Sequence, residues 1–144
     1  MVQWLCDNRV DTWLLVSMTE ESSTDYQTII LVVEDNRTQA EFLRFILQKS
    51  GHRVLMASNG LEALEVIRAT RPDLILTDIV MPEMDGYKLC SSIKEDPSYS
   101  DIPVILVTHL YDPIDVIRGL ESGADNFIIK PYDPDRIHAL ISST

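Results

Sequence analysis

From Thr28 onward the chain repeats one pattern five times, and this repetition narrows the choice of fold more than any other feature. A short apolar run comes first, and a longer stretch with apolar residues at helical spacing follows it. The runs are "TIILVVED", "HRVLMASN", "PDLILTD", "IPVILVTH" and "NFIIKP". The stretches that follow are "NRTQAEFLRFILQKSG", "GLEALEVIRATR", "DGYKLCSSIKED", "PIDVIRGLESG" and "DPDRIHALISST". "IILVV", "LILT" and "VILVT" show no polar alternation, the mark of strands covered on both faces. Strands alternating with helices build a parallel sheet with helices on both sides. The helical spacing turns Phe42, Leu43, Ile46 and Leu47 inward from the first helix, and Leu61, Leu64 and Ile67 from the second. Leu89, Cys90 and Ile93 serve the third. Gly51 stops the first helix, Pro113 begins the fourth, Gly123 closes it, and Pro134 stands near the first turn of a short fifth.

The chain has 144 residues, 45% hydrophobic and 24% charged, enough for one core. Residues 1–27 stand apart as an N-terminal extension or linker, and 28–144 form the domain. The extension carries Trp4, Trp13 and a "WLLV" run, but acids lie upstream of that run and no small-residue cleavage site follows, so it is a poor signal peptide. Met18 heads "MTEESSTD" and is a natural start for a free domain, with residues 1–17 then an added extension. No stretch reaches the ~18 apolar residues that span a bilayer. Cys6 and Cys90 have no metal or disulfide spacing, which fits a reducing cytoplasm. The net charge of −11 weighs against DNA, RNA and anionic membrane as direct partners, and favours divalent cations or basic surfaces. His52 and His138 have no metal spacing to each other.

Ligands of open α/β sheets sit beyond the carboxyl ends of the strands, where strand order reverses. There the first strand delivers Glu34 and Asp35, the third Asp78, the fourth Thr108 and the fifth Lys130. The second delivers only Ala57, Ser58 and Asn59. At ~5 Å and an effective dielectric near 20, each pair of carboxylates costs roughly 3 kcal/mol. Protonation of one acid, a cation among them, or Lys130 can relieve that cost. An all-oxygen site with room for water suits Mg²⁺. Helix capping by Glu34 or Asp35 accounts for one of them. It leaves Asp78 and Lys130 unexplained.

"VVEDN", "LILTDIVMPEMDG", "VILVT" and "NFIIKP" together resemble the receiver domain of two-component response regulators. The resemblance covers residues 28–144 and implies a flavodoxin-like, doubly wound sheet of order 2-1-3-4-5. It makes Asp78 the phosphoacceptor, which takes a phosphoryl group from a phosphohistidine on a histidine kinase or histidine phosphotransfer protein. Glu34, Asp35, Asp78 and the backbone carbonyl of Val80 would hold Mg²⁺. Lys130 would pair with a phosphoryl oxygen, and Thr108 would donate its hydroxyl to another. Phe127 matches the aromatic that swings as Thr108 moves. The Lys130–Pro131 bond is expected to be cis. The chain would be no enzyme in the ordinary sense, but a phosphoacceptor that assists its own phosphorylation and slow autodephosphorylation. Output to a downstream protein target would pass through the strand 4–helix 5 face, through which a homodimer could also form. Gly86 would serve close packing or a positive φ.

Two other phosphate-handling classes fit less well. A haloacid-dehalogenase-type phosphatase needs a second Asp two residues after the nucleophile, where Val80 stands. A flavodoxin-type FMN site needs a Gly- and Ser/Thr-rich cradle after the first strand, but "EDNR" would repel phosphate. A pseudo-receiver that docks partners without being phosphorylated is the remaining alternative. The His109 imidazole would narrow access to Asp78, and Val80 and Leu110, both apolar, would flank the path of attacking water without orienting it. They imply a phosphoryl state lasting hours rather than seconds. Nothing resembling an output segment follows "RIHALISST", so the expectation is a stand-alone receiver or a piece of a larger regulator or hybrid kinase.

Overall fold

A computed structural model of the chain describes residues 27–109 and 113–143. Expectations that fall on Trp4, Cys6, Trp13, Met18 and Leu110 lie outside the described residues. Five strands alternate with five helices: β1 (Ile29–Val33), α1 (Arg37–Lys49), β2 (Arg53–Ala57), α2 (Gly60–Ala69), β3 (Leu74–Asp78), α3 (Gly86–Glu95), β4 (Val104–Thr108), α4 (Pro113–Glu121), β5 (Asn126–Ile129) and α5 (Pro134–Ser143). All pairings are parallel, in the order β2-β1-β3-β4-β5. This is the doubly wound arrangement the sequence implies.

The strands split the core in two because successive residues point to opposite faces. Leu31, Val33, Ile75, Leu106 and Val104 meet α2 and α3 through Ile67, Leu89, Cys90 and Ile93. Ile30, Val32, Leu76, Ile105 and Val107 meet α1 and α5 through Leu43, Leu47 and Ile137. β2 is an edge strand, which leaves Val54, Leu55 and Met56 only partly covered.

Two expected core residues are not in the core. Phe42 is 46% exposed and Leu61 is 49% exposed. At 100° per residue the inward stripes run through Ala40, Leu43, Ile46 and Leu47 on α1, and through Ala63 and Ile67 on α2. Phe42 lies just off the first stripe and Leu61 well away from the second, and small Ala residues hold the inward places. The Phe42 ring instead stacks against Tyr132, with centroids 6.4 Å apart. At 10 residues α5 equals α2 and α3 in length, so it is not unusually short.

The helix starts are capped by side chains that accept otherwise unpaired backbone N–H groups. Asn36 accepts from Gln39, Asn59 from Glu62, Asp85 from Lys88 and Asp133 from Arg136. Gly51 and Gly123, at φ of +91° and +92°, close α1 and α4 in the left-handed region that glycine tolerates. Among the described residues no helix is long and apolar enough to cross a membrane.

Candidate functional site

The register of the sheet brings the reactive side chains to one level. Val33 pairs with Thr77, so the next residues, Glu34 and Asp78, end adjacent strands side by side. Asp78 pairs with Val107 and Thr108 with Ile129, which sets Thr108 and Lys130 on the far side of Asp78. This is the point where the chain leaves β1 for β2 on one side and β3 on the other, the crevice where such sheets bind ligands.

Gly86 fixes the exit from β3. A Cβ there would lie 2.4 Å from the Asp78 carbonyl oxygen and 2.8 Å from the Ile79 Cα, while the Gly86 N–H donates to the Ile79 carbonyl at 2.8 Å. Close packing, not a positive φ, is therefore its role. Ahead of it, Glu83 takes a φ of +69° in the "MPEMDG" turn.

Oxygens of Glu34, Asp35 and Asp78 lie within 4.8 Å of one another. Glu34 is buried, Asp35 exposed and Asp78 half-buried at the lip. Burial and the neighbouring Asp78 charge push the Glu34 carboxyl up to about 6, although the Asn36 N–H and Lys130 oppose them. Asp78 Oδ1 accepts the Ile79 N–H at 2.8 Å. The Lys130 ammonium is buried, 3.2 Å from Glu34 Oε1 and 3.6 Å from Asp78 Oδ2. Its own backbone N–H donates to the Thr108 carbonyl at 2.7 Å, and its bond to Pro131 is cis. Even with Lys130 in place, burial first and the Asp78 charge second keep the Glu34 carboxyl raised. The donor set is all oxygen and its members are a few ångströms apart, which fits a hard cation such as Mg²⁺.

Thr108 is buried, and a cavity of about 130 Å³ lies beside it, lined by Ile79, Asp115, Val116, Phe127 and Ile129. Phe127 is half-buried with its ring under α4, where a Cβ on Gly119 would lie 2.1 Å from the ring's Cζ. Two contributors escaped the sequence reading. Gln39, in the first turn of α1, accepts a hydrogen bond from Lys130 Nζ at 2.5 Å. Tyr132, two residues beyond Lys130, is pushed up to about 12 by burial and then by the charges of Glu34 and Asp78. Gln39 reads as ordinary polar helix surface, and only its place one turn above the acidic strand end could have drawn notice.

Residues 30–142 match the profile of the response regulator receiver domain. The chain belongs to the receiver family of two-component response regulators. The receiver domain of a signal transduction histidine kinase from Syntrophus aciditrophicus is 48% identical, with a TM-score of 0.77, over 81% of this chain and 88% of that one. The receiver domain of the sensor histidine kinase PA1611 from Pseudomonas aeruginosa, described with a magnesium ion coordinated in its active-site cleft, is 25% identical, with a TM-score of 0.76, over 82% of this chain and 97% of that one. The DNA-binding response regulator MtrA of Mycobacterium tuberculosis is 38% identical over 78% of this chain and 48% of its own length. The probable transcriptional regulator ycf27 of Guillardia theta is 40% identical over 78% of this chain and 43% of its own.

The chain thus spans about half the length of these curated relatives. The expectation that nucleic acid is no partner is not supported, since a relative is named for binding DNA. Net charge speaks only for the surface carried by these residues. Val80, two residues after Asp78, is 69% exposed, and His109, which follows Thr108, is exposed.

Proposed function

We propose that Asp78 accepts a phosphoryl group from a phosphohistidine on a histidine kinase or histidine phosphotransfer protein. The observation that carries this reading is the convergence of Glu34, Asp35 and Asp78 within 4.8 Å, with Lys130 Nζ 3.6 Å from Asp78 Oδ2. In the transfer, a carboxylate oxygen of Asp78 forms the new P–O bond as the P–N bond to the imidazole breaks, and the imidazole keeps that electron pair. Glu34, Asp35, Asp78 and the Val80 carbonyl would hold Mg²⁺, which supplies charge neutralisation for the transferring oxygens. Lys130 offsets further charge, and its burial keeps that charge unscreened. The Ile79 N–H fixes one Asp78 oxygen and so orients the carboxylate.

The chain then acts as a phosphoacceptor that assists its own phosphorylation and slow hydrolysis, not as an enzyme with turnover on a separate substrate. Thr108 moves toward the phosphoryl oxygens and Phe127 adjusts into the space it leaves, reshaping the surface from β4 to α5 that meets the downstream target or a second copy. That surface already exposes Ile114, Ile117, Leu120 and Ile129. Val80 and His109 restrict access of water to the acyl phosphate. A cytoplasmic setting supplies the reduced thiol, the Mg²⁺ and the kinase.

Incubation with acetyl phosphate and Mg²⁺, followed by intact-mass measurement, tests the proposal. The parent gains one phosphoryl group and Asp78→Asn does not. No gain, or a gain that survives Asp78→Asn, favours a pseudo-receiver that docks its partners without modification.

A further inference from the structure

Coulomb's law alone would set the Lys130 ammonium against the two carboxylates beside it. Yet Lys130 Nζ lies 2.5 Å from the neutral amide oxygen of Gln39, 3.2 Å from Glu34 Oε1 and 3.6 Å from Asp78 Oδ2. The carboxylate that must stay free to react is the one the ammonium falls short of bonding. An ammonium has donors only, so the Gln39 amide must turn its oxygen toward it. Lys130 is 5% exposed, and a buried cation must satisfy its protons locally.

We infer that Gln39 is a positioning residue that holds the Lys130 ammonium back from Asp78 and keeps the acidic oxygens open to a divalent cation. The inference rests on the cation site of the proposed function. Gln39 is the third residue of α1, and its backbone N–H is bonded to the Asn36 cap. The cap anchors the first turn, and the side chain reaches from it over the strand ends. Without the amide oxygen, the ammonium is drawn further onto the two carboxylates beside it, Glu34 Oε1 at 3.2 Å and Asp78 Oδ2 at 3.6 Å. The cation would then compete with a full positive charge for the same oxygens.

Calorimetric titration of the whole chain with MgCl₂ near neutral pH tests this. Gln39→Met keeps the length and helix propensity of the side chain and removes the strong acceptor. It should weaken Mg²⁺ binding about tenfold, the size expected for one hydrogen bond to a charged group. Gln39→Glu restores an acceptor and should bind Mg²⁺ at least as tightly as the parent. In a Lys130→Met background, Gln39→Met should have no further effect, because no ammonium remains to be held.

An affinity for Gln39→Met within about twofold of the parent would overturn the inference, since a lost hydrogen bond of this kind predicts more. Equal weakening by Gln39→Met and Gln39→Glu, or undiminished weakening without Lys130, would also overturn it by showing that Gln39 acts only through the helix. A parent chain that takes up no Mg²⁺ would instead overturn the cation site itself, and the inference with it.

Discussion

Raising the pH should destabilise the cation-free protein through Glu34. In the unfolded chain this carboxyl titrates near 4.5, and in the fold burial and Asp78 raise it to about 6. The native state therefore holds the proton more tightly than the unfolded state. The contribution is fully present below 4.5 and is lost as the pH rises through about 6. At about 1.4 kcal/mol per pH unit, the loss is ~2 kcal/mol. Urea unfolding about one pH unit below and about one unit above that window, on the parent and on Glu34→Gln, isolates it, because the other carboxylates titrate in both proteins. With an m-value of ~1.5 kcal/mol/M, the parent's midpoint should fall by roughly 1.3 M more than that of the variant. Saturating Mg²⁺ should remove most of the difference, since a cation favours the charged carboxylate. Equal pH slopes for the two proteins would refute the assignment of a strained negative charge to Glu34.

Three further outcomes follow from the packing around the site. Gly86→Ala sets a methyl 2.4 Å from the Asp78 carbonyl oxygen, which is backbone and cannot turn aside. It should lower stability by about 1–3 kcal/mol in urea unfolding and slow labelling by acetyl phosphate. Gly119→Ala meets the movable end of the Phe127 ring instead, so the ring should rotate outward, and the helix propensity of Ala offsets part of the cost. Fluorophenylalanine labelling of the three Phe residues would show one ¹⁹F resonance shifted, and an unshifted spectrum would mean that the ring never occupied that place. Val80→Asn and His109→Ala should each shorten the phosphoryl lifetime in a mass-resolved decay series, and the shielding role fails if both decay like the parent.

The sheet could be read from sequence because its strands are buried on both faces. Runs such as "IILVV" and "VILVT" lack the alternation of a strand with one wet face, and their length and β-branched residues suit a strand. The strand-end residues followed from the same logic, since a parallel sheet delivers every such residue to one edge. Spacing alone marked the helices less sharply. Phe42 falls beside the inward stripe of α1, and on α2 the stripe runs through Ala63 and Ile67, not through the larger Leu61. Long-range polar contacts made away from the strand ends could not be read. Gln39 meets Lys130 across 91 positions, and no local pattern announces such a pair. Gly86 could be singled out, but not assigned. Its choice between close packing and a positive φ depends on where the Asp78 carbonyl lies in space.

A crystal structure of the chain with beryllofluoride and Mg²⁺ bears most directly on the central claim. The account predicts density for the fluoride adduct on an Asp78 oxygen, the metal between it and the carboxylates of Glu34 and Asp35, and Lys130 drawn from Gln39 to a fluorine. An adduct on another side chain, or an acidic cluster that takes up neither ligand at saturating concentration, would contradict it.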